Sequence, residues 1–102
     1  MFRGGYLGKL LRVDLSSSTT RVEAIDPQLY RRLLGGRGLA AKYYYDEIGN
    51  SVGPLEPANK LLFFTGPLTG LPLPSTTKFQ LATKSPETRR YLCSNCGGDF
   101  GP

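Results

Sequence analysis

Two features in the last third of the chain have residue types that could do chemistry. One is Cys93-Ser94-Asn95-Cys96-Gly97-Gly98; the other is the strand-like run that begins at Lys78. Paired glycines let a backbone approach a ligand closely, and their N–H groups can point at an anion. A glycine-rich turn facing a basic strand residue suits a phosphate. Spacing alone leaves plainer readings open: Asn95 beside glycines is ordinary turn chemistry, and Lys78 can be a solvated strand lysine. Cys93 and Cys96 form Cys-x-x-Cys, half of a zinc or iron–sulfur site or a redox dithiol. A metal site needs four ligands, and the chain has 2 cysteines and 0 histidines. The redox reading wants the pair at a helix start, where Gly97-Gly98 is a poor opening. The two thiols are therefore read as packing residues near the site. In Gly35-Gly36-Arg37-Gly38, Arg37 is either an anion contact at a helix start or a surface arginine at an interhelix turn.

Composition narrows the classes. At 102 residues and 11.2 kDa the chain is at most one small domain. Its 13 glycines and 8 prolines are about a fifth of the total, well above the usual share of roughly 12%, so loops dominate. The net charge of +5 favours anionic partners such as phosphates, though a modest excess often only aids solubility. Absent histidine excludes His-based triads and His general bases. No signal peptide and no membrane span is expected, and a cytoplasmic location follows by default. Tyr43-Tyr44-Tyr45 invites a base-stacking reading, but consecutive helical aromatics point in different directions, so core plus interface fits better. Lys84 with Arg89-Arg90-Tyr91 is too short a basic cluster for nucleic-acid binding.

The elements that position these residues follow from periodicity. Leu11, Val13 and Leu15, then Val22 and Ala24, alternate with polar residues across Ser16–Thr20, a β-hairpin with a long loop. Asp26-Pro27 starts a helix as N-cap and first position, and Gly35 stops it. A second helix is predicted from Gly38 to Ile48, with Ala41, Tyr44, Tyr45 and Ile48 as its inner face. Gly49–Ala58 reads as a loop. Leu61-Leu62-Phe63-Phe64 is apolar on both sides and reads as a central strand. Pro72 and Pro74 hold the next loop extended. Phe79, Leu81 and Thr83 form the buried face of a further strand that Lys84-Ser85-Pro86 ends. The order ββ-α-α-β-β predicts an α+β unit, a small mixed or antiparallel sheet with two helices.

Five motifs then carry a resemblance. Gly35-Gly36-Arg37-Gly38-Leu39-Ala40, Asn59-Lys60-Leu61, Gly66-Pro67-Leu68-Thr69-Gly70, Thr83-Lys84-Ser85-Pro86 and Asn95-Cys96-Gly97-Gly98 occur in the order seen in one family. With the opening Gly8-Lys9-Leu10-Leu11-Arg12-Val13-Asp14-Leu15, they resemble the amino-terminal domain of tungsten-dependent aldehyde:ferredoxin oxidoreductases. Any one motif is common; five in order are specific, and the resemblance covers essentially the whole chain.

The resemblance implies that residues 1–102 are the first half of a duplicated domain that forms a base under the cofactor, and so a fragment or separately encoded piece of a larger enzyme. It implies an anaerobic, cytoplasmic enzyme that oxidises aldehydes to carboxylic acids and passes electrons through an iron–sulfur cluster to ferredoxin. The implied cofactors are a tungsten or molybdenum bis-pyranopterin, a 4Fe–4S cluster ligated outside this chain, and magnesium as a candidate ion. Lys78 takes the place of a family arginine that contacts pterin phosphates, keeping the charge but losing the bidentate fork. Asn95 and Gly97 match residues that hold the pterin. No catalytic or metal-ligating family residue falls in this chain, so alone it is expected to be inactive.

The implied partners are the rest of the enzyme or a partner subunit, ferredoxin and an aldehyde, with no nucleic acid or membrane and an oligomer at full length. The alternatives are a non-catalytic pterin-binding module and a structural subunit of a larger redox complex. Cys96 replaces a small hydroxyl residue of the family, and Asp99 stands where an aromatic is usual. A carboxylate there must turn away from phosphates or help hold a cation.

Overall fold

The computed structural model describes residues 5–98. They form β1 (Lys9–Asp14), β2 (Thr19–Ala24), α1 (Pro27–Leu33), α2 (Gly36–Glu47), β3 (Leu62–Thr65), β4 (Phe79–Lys84) and β5 (Tyr91–Cys96). The α+β expectation holds, as two antiparallel sheets: β1-β2, and β3-β4-β5 with β4 in the middle. The predicted order lacks β5, because Asn95 beside Gly97-Gly98 has turn-forming chemistry in the sequence. Asp99 lies outside the described residues.

The hairpin turns where the Asp14 carboxylate accepts from the Ser16 and Ser17 N–H groups at 2.9 and 3.4 Å. Its register pairs Leu11 with Val22, so these residues and Val13 share one face, and that face is exposed. The other face carries Leu10, Arg12 and Glu23 towards α2. There Arg12 grips Glu47 with both terminal nitrogens, at 2.6 and 2.9 Å, and Lys60 adds a third contact at 2.8 Å. Arg12 Nε also lies 2.8 Å from Glu23, an ionic approach outside hydrogen-bond geometry.

Arg12, and then Lys60, hold the Glu47 carboxyl down at about 2, against an ordinary 4.5. The folded value lies below the unfolded one, so this stabilisation is complete above pH 4.5 and is lost as pH falls towards 2. Partial exposure limits it to about 1–2 kcal/mol. Glu47→Gln is expected to lose that amount at pH 7, with the gap to wild type closing by pH 2. Urea midpoints of both proteins across this range check it, and a gap that does not narrow on acidification contradicts it.

Asp26 caps α1 as predicted, accepting from Gln28 N at 2.9 Å with Pro27 next. The stop takes two residues: Leu34, at φ 68°, is left-handed, and Gly35 follows at φ 135°, which side chains rarely adopt. Gly35 also serves close packing, since a Cβ there would sit 3.3 Å from Thr65 O.

Helix α2 starts at Gly36, earlier than predicted, and its inner face differs in part: Ile48, at its end, is buried as predicted, but Ala41 and Tyr45 are not. Gly36, Leu39 and Ala40 are buried with Tyr43 beside them, whereas Ala41 and Tyr45 are exposed. The short Gly36 and Ala40 let the helix approach the sheet closely, and that contact decides which face turns inward. Leu39, Ala40, Phe64 and Ala82 make the core. Tyr43 stacks on Phe64 and Tyr44 meets Tyr91 edge-on, so the tyrosine run diverges as predicted.

Two strand predictions are corrected. β3 is an edge strand with Phe63 on an open face, because β4 alone has neighbours on both sides. On β4 the helix-facing residues are Gln80, Ala82 and Lys84; of the predicted buried face only Phe79 is buried, on the opposite side against Phe63. Lys84 is buried, so it does not belong to a surface basic cluster with Arg89 and Arg90. The loop with Pro72 and Pro74 is folded back, not extended, because Thr76 Oγ1 donates to Leu71 O and Leu73 O at 2.8 and 2.7 Å. Among the described residues, no helix is long and apolar enough to cross a membrane.

Candidate functional site

The site lies where β4 begins and β5 ends. Phe79 pairs with Cys96, so Lys78 and Gly97 sit side by side just past that pair, and Gln80 faces Asn95. A Cβ on Gly97 would lie 3.9 Å from the Lys78 Cγ and Cε atoms. Side-chain alternation puts Lys78, Gln80, Asn95 and Gly97 on the helix side of the sheet. Lys78, Asn95 and Gly97 are all exposed. The three residues singled out from the sequence are thus brought together at one corner.

The loops hold that corner in place. Thr69 Oγ1 donates to the Lys78 carbonyl at 2.9 Å and accepts from Gly66 N at 3.2 Å, tying Gly66–Gly70 to the start of β4. Beneath the loop is a cavity of about 250 Å³, whose lining includes Gly36, Phe64, Pro67, Thr76, Lys78 and Gln80. Lys78 therefore stands between this cavity and Gly97.

Arg37 enters from the first turn of α2, and its Nη2 donates to Asn95 Oδ1 at 3.4 Å. The sequence marked Arg37 as a candidate but gave no sign of its partner, 58 positions away. Gln80 was missed altogether. Its Oε1 accepts from Cys93 Sγ at 3.4 Å, and the sequence carries no signal for it, because the alternation there reads Gln80 as an outward residue. Burial pushes the Tyr91 phenol up to about 12, helped by the Cys93 thiol and opposed by Arg37, so it is neutral at physiological pH.

The cysteines do not act together. They are three residues apart in a strand, so they point to opposite faces, about 10 Å apart along it. Cys93 is half-buried against Gln80, and Cys96 is exposed on the other side. The redox-dithiol and shared-metal readings fail on that geometry. The packing reading holds for Cys93 and not for Cys96. Among the described residues, no group of three His, Cys, Asp or Glu side chains could hold a metal ion.

Residues 10–102 match the family described as aldehyde ferredoxin oxidoreductase, N-terminal domain. The chain belongs to that family. Tungsten-containing aldehyde ferredoxin oxidoreductases of Pyrococcus horikoshii and Pyrococcus furiosus are 40% and 41% identical to it over 97 residues. An aliphatic sulfonate oxidoreductase, WOR-like subunit, of Pyrococcus furiosus is 35% identical over 99 residues. Among solved structures, the active site complex BamBC of benzoyl coenzyme A reductase, with bound 1,5-dienoyl-CoA, superposes with a TM-score of 0.91 at 34% identity. The match covers 99% of this chain. The domain spans 16% of the length of each of these relatives and of the solved chain.

Proposed function

We propose that this segment binds the phosphates of a tungsten pyranopterin, as the first half of the cofactor base of an aldehyde-oxidising, ferredoxin-linked enzyme. The observation that carries the reading is the corner formed by Lys78, Asn95 and Gly97. Gly97 has neither a left-handed φ nor a neighbour that a Cβ would strike. The fold does not require glycine there, so the open space beside an exposed lysine is free for a ligand to approach the backbone. Lys78 supplies the charge, Asn95 a side-chain amide, and Gly97 the close approach. These groups fit a phosphate.

When bound, the metal–pterin group would supply the redox chemistry, with the iron–sulfur cluster, ferredoxin site and catalytic groups contributed from outside these residues. Here the chain only binds and orients. Three oxidoreductases named for different substrates share this fold at 34–41% identity, which suits a segment that holds a cofactor and leaves substrate choice to other parts.

The test uses the full-length enzyme, with tungsten and pterin measured per polypeptide. A charged phosphate contact contributes about 1.5–3 kcal/mol, so Lys78→Ala is expected to lower cofactor retention by about tenfold or more. Gly97→Val is expected to lower it too, with the melting temperature unchanged. Full cofactor in both variants sinks the proposal.

A further inference from the structure

We infer that Arg37 is a positioning residue for this site, fixing the orientation of the Asn95 carboxamide so that its amide N–H₂ faces the bound phosphate; this rests on the pterin-phosphate reading above.

The placement follows from how α2 lies over β3 and β4, from where its longer side chains reach β5. Tyr44 meets Tyr91 edge-on with ring centroids 4.7 Å apart, which sets the helix against the strand. Arg37 is seven residues before Tyr44, about 10 Å back along the helix axis. Asn95 is four residues beyond Tyr91, about 13 Å along the strand. The two spacings nearly match, so the contact at Tyr91 brings Arg37 to Asn95, where the hydrogen bond is observed. A guanidinium has only donors, so its partner atom must be the carboxamide oxygen. With Oδ1 turned to Arg37, the remaining donor group Nδ2 is directed elsewhere, and a phosphate accepts from it.

The position is otherwise a poor one for a cation. The first turn of α2 is the positive end of the helix dipole, and it holds no acidic residue. Among the described residues, neither Arg37 nor Lys78 forms an ion pair. Two cations and a helix N-terminus thus converge on one corner with no described carboxylate to balance them. An anion seated there meets Lys78 and the Asn95 amide, with Arg37 acting on it through Asn95.

The experiment measures pterin and tungsten retained by the full enzyme after gel filtration in high salt, for Arg37→Gln, Arg37→Lys, Asn95→Ala, Arg37→Gln/Asn95→Ala and Lys78→Ala. Arg37→Gln keeps a helix-compatible exposed residue, so the melting temperature is expected to stay within a degree or two of wild type. Retention is expected to fall about fivefold in Arg37→Gln and to recover in part in Arg37→Lys. The double variant is expected to retain no less than Asn95→Ala, because Arg37 acts through Asn95. Wild-type retention in Arg37→Gln alongside loss in Lys78→Ala overturns this inference and leaves the phosphate site standing. Additive losses in the double variant overturn the positioning role. Full retention in both Lys78→Ala and Asn95→Ala overturns the phosphate site and this inference with it.

Discussion

Replacing Lys84 by methionine is expected to destabilise the chain by about 3–6 kcal/mol, the sum of two lost hydrogen bonds from a charged donor. Lys84 is only 6% exposed, and its ammonium donates to the carbonyls of Gly49 and Val52, each at 2.6 Å. Those carbonyls lie just past the end of α2, whose own last turn has no basic residue. The lysine on the central strand therefore supplies the cation that the negative end of the helix lacks. Methionine keeps the apolar stem but leaves two carbonyls buried without a donor. Urea unfolding measures the change, as a midpoint shift of about 2–3 M for a chain of this size. A loss below about 1 kcal/mol would mean that water reaches those carbonyls as soon as the ammonium is gone.

Lys84 also shows how one motif can belong to the scaffold. Thr83-Lys84-Ser85-Pro86 helps carry the family resemblance, yet none of it reaches the corner of Lys78, Asn95 and Gly97. Thr83 Oγ1 donates to Lys60 O at 2.8 Å, fixing β4 to the segment before β3. Ser85 Oγ accepts from Glu87 N and Thr88 N, and Ser85 N donates to Arg90 O, closing the turn into β5. That turn sets the β4–β5 register, and the register puts Asn95 opposite Gln80 and Gly97 beside Lys78. The motif acts on the site only through the strands it aligns.

What the sequence revealed about the fold was local. The Asp26-Pro27 cap and the hairpin are decided within a few residues by side-chain-to-backbone bonds, and both were legible. The inner face of α2 was not, because its apolar residues are spread around the helix. Contact with Phe64 and Ala82 selects Leu39-Ala40 over Ala41 and Tyr45. β3 reads as central from its apolar run, yet Phe63 is 58% exposed and the strand is an edge. Strand order is a long-range property that no local run encodes. β5 was hidden because Cys93–Cys96 contains turn-forming residue types, and its strand geometry depends on pairing with β4.

The site shows the same division. Lys78, Asn95 and Gly97 were named from residue types together with the order of motifs. Their meeting at one corner is a result of register. Arg37 and Asn95 are joined only because α2 packs on β3 and β4, beside β5, so no reading of either motif alone could connect them.

That packing rests on Leu39, and its loss carries the second large expected effect. Leu39 is fully buried in the cluster with Ala40, Phe64 and Ala82. Leu39→Ala removes three heavy atoms and leaves a cavity, which costs about 3 kcal/mol at such sites. A small domain of this kind has total stability of about 5–10 kcal/mol, so the loss takes a third or more of it. Leu39→Met, which nearly keeps the volume, is expected to cost less than about 1.5 kcal/mol. Leu39 lies two residues beyond Arg37, so a cavity at this point frees the first turn of α2 to shift and loosens Arg37 from Asn95. The alanine variant is therefore expected to weaken cofactor retention as well as stability, while the methionine variant changes neither strongly. Equal stability of the two variants in urea would show that the α2–sheet interface closes over the missing atoms, and would remove Leu39 as the anchor of the corner.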